Sequence, residues 1–280
     1  MTAPTQGFNA LPLSPNTLAN LTQLGYTQMT PIQAASLPLT LAGRDLIAQA
    51  STGSGKTAAF GLPLVEKLNA TNVNAQALVL CPTRELADQV TQEIRRLARA
   101  VGNIKVVTFC GGVALRGQTQ SLEHGAHVVV GTPGRILDHL ERGSLQLHDV
   151  RLLVLDEADR MLDMGFFDDM AKVAKQCPSD RQTLLFSATY PDGIGKLASQ
   201  FMRDPQTVKV QAQHSAQKIK QIFYEVSDSE RLHAVSLVLN HFRPESTLAF
   251  CNTKQQCRDL VAALLFGVAS ARLQCLGLVW

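Results

Sequence analysis

No two of the six cysteines, at positions 81, 110, 177, 251, 257 and 275, form a C-x-x-C pair, and no zinc-type spacing joins them. That absence leaves no disulfide framework or zinc site to expect and reads as reduced thiols in a cytoplasmic protein. Between Met1 and Asn20 no basic stretch leads into an apolar run, so no signal peptide is expected. The most apolar late stretch, 260–271, is broken by Arg272 and falls short of the ~20 residues a membrane span needs. Short-period repeats and low-complexity tracts are also missing. The net charge is only +3, which permits an anionic partner without arguing for one, so nucleic acid has to be argued from particular residues.

What is present suffices for a sizeable core: 280 residues, 45% hydrophobic and 18% charged, enough for one large domain or two smaller ones. Short apolar runs at 45–49, 77–81, 104–109, 127–130, 152–155 and 183–186 read as buried strands. Between them lie amphipathic segments such as 83–101, where Leu86, Val90, Ile94, Leu97 and Val101 recur every three or four residues. Strands alternating with helices predict an α/β fold, a doubly wound parallel sheet with helices on both faces. Upstream, Leu18, Leu21 and Leu24 mark one helix stopped by Gly25, and Thr30-Pro31 opens another. The polar stretch 211–220 reads as a linker. Beyond it, strand patterns at 221–226 and 247–251 alternate with helical ones at 230–241 and 254–265, the start of a second α/β unit.

In such a sheet ligands sit at the carboxyl ends of the strands, and the informative residues do follow the apolar runs. The first run leads into Ala50-Ser51-Thr52-Gly53-Ser54-Gly55-Lys56-Thr57 and then a helix start, the strand, loop and helix that a phosphate-binding loop requires. Gly53 and Gly55 allow the tight backbone whose N–H groups face anionic oxygens. In such a loop Lys56 would reach β- and γ-phosphates and the Thr57 hydroxyl would take Mg²⁺. The generic pattern has Gly where this chain has Ala50. Asp156 and Glu157 close the run 152–155, where one carboxylate can hold Mg²⁺ through water and the next can orient the attacking water. Isolated strand-end acids more often cap the next helix, yet in a chain with a phosphate loop the catalytic reading prevails.

Arg84 and Arg135 each open a helix beside small residues, suited either to gripping phosphate or to lying on a solvated face. Gly111-Gly112 is either a plain turn or a place where another backbone comes close. Arg95, Arg96 and Arg99 read as a solvated helix face, and His124, His127 and His139 as structural or surface residues. The Gln33 amide is an ordinary helix residue or a reader of an adenine edge.

Taken in order, these pieces resemble the DEAD-box family of ATP-dependent RNA helicases. The match is literal at Asp156-Glu157-Ala158-Asp159. It extends to Gly25-Tyr26 through Thr30-Pro31-Ile32-Gln33 with Phe8 upstream, Ala50 to Thr57, Pro82-Thr83-Arg84-Glu85-Leu86-Ala87, Gly111-Gly112, Thr132-Pro133-Gly134-Arg135 and Ser187-Ala188-Thr189. The family's own loop begins with Ala, so Ala50 becomes support. The residues around Cys81 to Val90 and Asp156 to Phe166 look closest to the bacterial DbpA-type subgroup.

The resemblance implies a RecA-like first domain over 1–210, ATP and Mg²⁺ as cofactors, and RNA, single-stranded or a short duplex, held by its backbone. It implies that Tyr26 stacks on adenine and Gln33 bonds its edge. It gives residues 51–57 the phosphates, Lys56, Asp156 and Glu157 the catalysis, and Thr57 with Asp156 the metal. Pro82, Thr83, Arg84, Gly111, Gly112, Thr132, Pro133, Gly134 and Arg135 would hold RNA, while Asp159 with Ser187, Ala188 and Thr189 would couple the two sites. The competing reading, a DNA helicase or another P-loop ATPase, is disfavoured by the Ala50-containing loop together with Tyr26 and Gln33.

The resemblance runs from about Phe8 to Ala263. Phe250-Cys251-Asn252-Thr253 resembles the first motif of the family's second domain, so 221–263 is expected to be an incomplete second RecA-like domain. Residues 264–280 match nothing expected there and read like the product of a shifted frame or a truncated gene. Without the later motifs the arginine fingers are missing, so the alternative function is an ATP- and RNA-binding module without hydrolysis.

Overall fold

The computed structural model describes residues 7–190, 192–210 and 220–267. The chain divides into two compact units, Met1–Gln213 and His214–Trp280. The expected linker and tail lie almost entirely outside the described residues.

In the first unit, α1 (Pro15–Gln23) and α2 (Pro31–Leu41) precede the sheet. Ser14 and Thr30 cap these helices, each followed by Pro at the first helical position, where the missing N–H costs nothing. Strands and helices then alternate: β1 (Leu46–Gln49), α3 (Lys56–Glu66), β2 (Ala77–Leu80), α4 (Arg84–Ala98), β3 (Val106–Phe109), α5 (Leu115–Leu122), β4 (Val128–Gly131) and α6 (Pro133–Glu141). They continue with β5 (Leu152–Leu155), α7 (Ala158–Asp163), α8 (Phe167–Gln176), β6 (Gln182–Ser187), α9 (Asp192–Phe201) and β7 (Gln206–Lys209). The seven strands lie in the order β3-β4-β2-β5-β6-β1-β7, and every pairing is parallel.

Because successive side chains point to opposite faces, each strand feeds two cores. Leu152, Val154, Leu184 and Phe186 pack with Ile32, Leu37, Phe60 and Ile94. Leu153, Leu155 and Leu185 pack with Ile136, Met161, Met170, Val173 and Leu197. Both faces are covered, as the apolar runs predict. The expected strands form within a residue or two of their predicted bounds, and β7 adds one that the sequence pattern does not signal.

The second unit holds α10 (Arg231–Phe242) and α11 (Lys254–Gly267), close to the predicted helices. The strands expected at 221–226 and 247–251 do not form: residues 220–230 and 243–253 contain no strand. Phe223, Leu248 and Phe250 are 88%, 76% and 74% exposed. A strand needs a neighbour to take its N–H and C=O groups, and no ladder is present among the described residues of this unit. No helix of the described residues is long and apolar enough to cross a membrane.

Candidate functional site

The loop after β1 is tied to β6 by Ala50 N–H donating to Ser187 O at 3.0 Å. Gly53 and Gly55 have φ of +79° and +92°, a region that side chains disfavour. At Gly55 an added Cβ would also fall 2.5 Å from Gln33 Nε2. Ser54 Oγ turns back to Ser51 O at 2.7 Å. Lys56 opens α3, is 6% exposed, and its Nζ has no hydrogen-bond partner among the described residues. A buried ammonium without an acceptor, set among free N–H groups of a helix N-terminus, is built for an anion.

Gln33 braces this loop from α2. Its Oε1 accepts from Thr30 N–H at 2.9 Å and its Nε2 donates to Gly55 O at 3.0 Å. One amide N–H and one lone pair are left for a ligand. Tyr26 stands nearby, its hydroxyl donating to Glu93 of α4 and its ring meeting Phe8 edge-on with centroids 6.1 Å apart.

The acids follow β5. Burial lifts the Asp156 carboxyl to about 6; Lys56 opposes that rise and Glu157 adds to it. Glu157 is a non-glycine residue at φ +51°, ψ +51°, a strained conformation of the kind concentrated at functional sites. Its carboxylate accepts from Thr52 Oγ1 at 3.2 Å and lies 3.8 Å from Arg160. Asp159 Oδ2 accepts from both the N–H and the hydroxyl of Thr189 at 2.8 Å. Burial raises its carboxyl, but the Thr189 donors and the Arg160 N–H outweigh that and hold it below the ordinary value. Asp159 thus joins the acids after β5 to the turn after β6.

Tyr26, Gln33, Thr52, Gly53, Gly55, Lys56, Thr57, Asp156 and Glu157 line one cleft of about 640 Å³, ample for a mononucleotide. Ser51 and Ser54 belong to the loop's own scaffold. Among the described residues no cluster of three or more His, Cys, Asp or Glu side chains could hold a metal alone. The Thr57 hydroxyl and Asp156 fit Mg²⁺, which is commonly held by one or two protein oxygens together with substrate phosphates. Glu93 and Gln89 also line the cleft and are not signalled by the sequence. Glu93 and Gln89 sit on α4 beside its apolar stripe, where spacing alone marks them as surface.

The remaining residues gather at the ends of β2, β3 and β4. Thr83 caps α4; Arg84 is half exposed, 3.7 Å from Asp88. Gly112 has φ +78°, and its Cβ position is 4.0 Å from Arg84 Nη1. Pro133 occupies the first turn of α6, and an added Cβ at Gly134 would touch Asp169. Arg135 differs from Arg84: its side chain is 14% exposed, and Nη1 donates to Val113 O at 3.2 Å and Gln118 Oε1 at 3.4 Å. It is committed in part to holding the loop after Gly111-Gly112. Of the helix-face arginines, Arg95 donates to Val106 O at 2.7 Å.

The two histidines buried among the described residues are structural. His127 Nδ1 accepts from Lys105 N–H at 3.0 Å, leaving Nε2 to donate to Ala70 O at 3.1 Å. His139 stacks on Phe109 with centroids 4.3 Å apart and bonds Gln118 Oε1 at 3.0 Å and Ser144 Oγ at 2.8 Å. Burial, aided by Arg135, lowers the His139 pKa below 6.5. Between that ordinary value and the lowered one the unfolded chain binds the proton and the folded chain does not, so stability is lost as pH falls below 6.5. The melting temperature of the wild type is therefore expected to fall more between about pH 7.5 and about pH 5.5 than that of His139→Gln. Parallel pH dependences in calorimetry would contradict this.

A family model described as DEAD/DEAH box helicase matches residues 30–197. The chain is 50% identical over 257 residues to the ATP-dependent RNA helicase DbpA of Escherichia coli (strain K12), covering 92% of this chain and 56% of that protein. It is 44% identical over 258 residues to the DEAD-box ATP-dependent RNA helicase CshA of Geobacillus kaustophilus (strain HTA426), covering 92% and 55%. The chain thus spans about half the length of the curated relatives it matches. The solved structure of a DEAD box protein from the hyperthermophile Methanococcus jannaschii aligns with a TM-score of 0.71 at 40% identity, covering 93% of this chain and 70% of that one. That likeness identifies the parallel sheet as RecA-like. With the phosphate loop, the acids after β5 and the strand-end loops all inside the matched span, the chain belongs to the DEAD/DEAH box helicase family.

Proposed function

We propose that the cleft binds ATP with Mg²⁺, that the strand-end surface holds the backbone of single-stranded or short duplex RNA, and that the whole protein couples the two as a cytoplasmic ATP-dependent RNA helicase. The observation that carries the nucleotide half is Lys56, a buried ammonium with no hydrogen-bond acceptor among the described residues, inside a cleft that also holds Asp156 and Glu157. The loop N–H groups and Lys56 grip β- and γ-phosphates, while Tyr26 and the free half of the Gln33 amide take the adenine. Thr57 and Asp156 hold Mg²⁺, partly through water. Bound Mg²⁺ supplies neutralisation of phosphate charge. Glu157, steadied by Thr52, orients and deprotonates the attacking water.

Arg84, Gly112 and Thr132, with Arg135 holding their loops, grip sugar and phosphate without reading bases. The RNA helicase names of the two relatives support RNA over DNA. The Asp159–Thr189 bonds connect the acids to the turn after β6 and are the route by which nucleotide state reaches the RNA surface. Fluorescence anisotropy with a labelled single-stranded RNA tests the RNA half. Arg84→Ala should weaken binding about three- to tenfold at every sequence and reduce the salt slope by about one. Unchanged affinity and slope would remove Arg84 from the surface.

A second reading concerns turnover. Among the described residues lining the cleft, Lys56 is the only cationic side chain, whereas an arginine finger is worth about 10³-fold or more in phosphoryl transfer. The 280-residue chain is therefore expected to bind ATP yet hydrolyse it slowly. Strong RNA-stimulated phosphate release from the purified chain would rule this out.

A further inference from the structure

The cleft contains a carboxylate that the roles above leave unused. Glu93 lies on α4 and lines the cleft together with Tyr26. Its Oε1 accepts the Tyr26 hydroxyl, and its Oε2 lies 2.9 Å from Arg96 Nη1. Arg96 keeps the carboxylate oriented, and the carboxylate in turn fixes the phenol. Tyr26 is held elsewhere too: its backbone N–H donates to Leu21 O at 2.9 Å, and Phe8 packs edge-on against its ring at 78°. Burial and the Glu93 hydrogen bond push the Tyr26 phenol up to about 12, so it stays a donor throughout the neutral range. Glu93 is not what seats α4, because Ala87, Val90, Ile94 and Leu97 are buried on its inner face.

We infer that Glu93 is a positioning residue of the base subsite, holding the Tyr26 ring as a preorganised platform against which the nucleobase stacks. The inference rests on the ATP reading above. It predicts a division of labour along the cleft: the Lys56 end sets affinity for phosphate, and the Tyr26–Glu93–Arg96 relay sets affinity for the base. A ring already fixed loses little freedom when a ligand stacks on it, whereas a released ring must be ordered at the expense of affinity.

The test compares displacement of 2′/3′-O-methylanthraniloyl-ATP by ATP and by tripolyphosphate, which has no base, both with Mg²⁺, on the full chain. Glu93→Ala is expected to weaken ATP about tenfold, the scale of one hydrogen bond to a charged group, while leaving tripolyphosphate unchanged. Glu93→Gln, which still offers an acceptor to the Tyr26 hydroxyl, should retain most of the ATP affinity. Tyr26→Phe combined with Glu93→Ala should cost no more than Glu93→Ala alone, since both remove one interaction. Equal weakening of ATP and tripolyphosphate would reduce Glu93 to a general structural residue and overturn the inference. Unchanged ATP affinity in Glu93→Ala would overturn it as well. Lys56→Ala serves as the control: if it leaves both competitors unaffected, the nucleotide reading itself fails.

Discussion

Replacing Lys56 with methionine is expected to weaken binding of ATP with Mg²⁺ about a hundredfold or more, and to raise the melting temperature of the nucleotide-free chain. Both effects come from one atom. Lys56 Nζ is buried and has no hydrogen-bond acceptor among the described residues, so its hydrogen-bonding capacity is unmet until anionic oxygens arrive. Charge-assisted hydrogen bonds to phosphate are worth about 1.5–3 kcal/mol each, and two of them account for the expected loss. Methionine fills the space of the lysine stem without a charge. Lys56 also helps keep Asp156 ionised, so its removal lets that carboxyl take up a proton rather than leave an orphan anion. The net gain in stability is about 1 kcal/mol, or roughly 2–4 °C for a unit of this size. Isothermal titration and scanning calorimetry read the two effects separately. Unchanged ATP affinity would sink the site assignment, and a lower melting temperature would mean that Lys56 has a structural role.

Gly131→Ala is expected to be the most damaging single change in the sheet. Gly131 ends β4, and an added Cβ would fall 2.3 Å from Phe109 O and 2.8 Å from Ile136 Cδ1. Neither neighbour can yield cheaply. Phe109 O belongs to the β3–β4 ladder and accepts from Thr132 N–H at 3.1 Å, while Ile136 is fully buried in the second core. The strands must separate at the point where β3 leads to Gly111-Gly112 and β4 leads to Thr132–Arg135. Overpacking of this kind costs about 3 kcal/mol, a large part of the stability of an ordinary domain. β2, β5 and β6 stand between β4 and β1 in the sheet, so RNA affinity should suffer well before ATP affinity does. A urea midpoint equal to wild type would contradict this account of the β3–β4 edge.

The first unit is legible in the sequence for a physical reason: a sheet covered on both faces makes each strand a continuous apolar run, as at Leu152–Leu155. β7 is not, because an edge strand reading Gln206-Thr207-Val208-Lys209 has one apolar residue and leaves most of its side chains in solvent. The same logic explains why the two strands expected in the second unit do not form. At 221–226 and 247–251 the side-chain pattern of a strand is present, yet a pattern cannot supply the neighbouring strand that would complete the hydrogen bonds.

The site divides in a similar way. Lys56, Thr57, Asp156 and Glu157 are readable because strand, turn and helix start are adjacent in sequence. Glu93 and Gln118 are not, since their partners Tyr26, Arg135 and His139 reach them only through helix packing. Arg84 and Arg135 look equivalent as helix-opening arginines, and only burial separates the exposed one from the one bonded to Val113 and Gln118.

The claim at the centre of this account is that one cleft of the first unit, built by the loop after β1, the start of α2 and the acids after β5, receives ATP. Amide hydrogen exchange of the full chain, followed by mass spectrometry with and without saturating ATP and Mg²⁺, tests it most directly. The account predicts new protection at residues 26–33, 51–57 and 156–159, lost together in Lys56→Ala. Absence of protection at 51–57, or protection confined to residues 220–267, would contradict it.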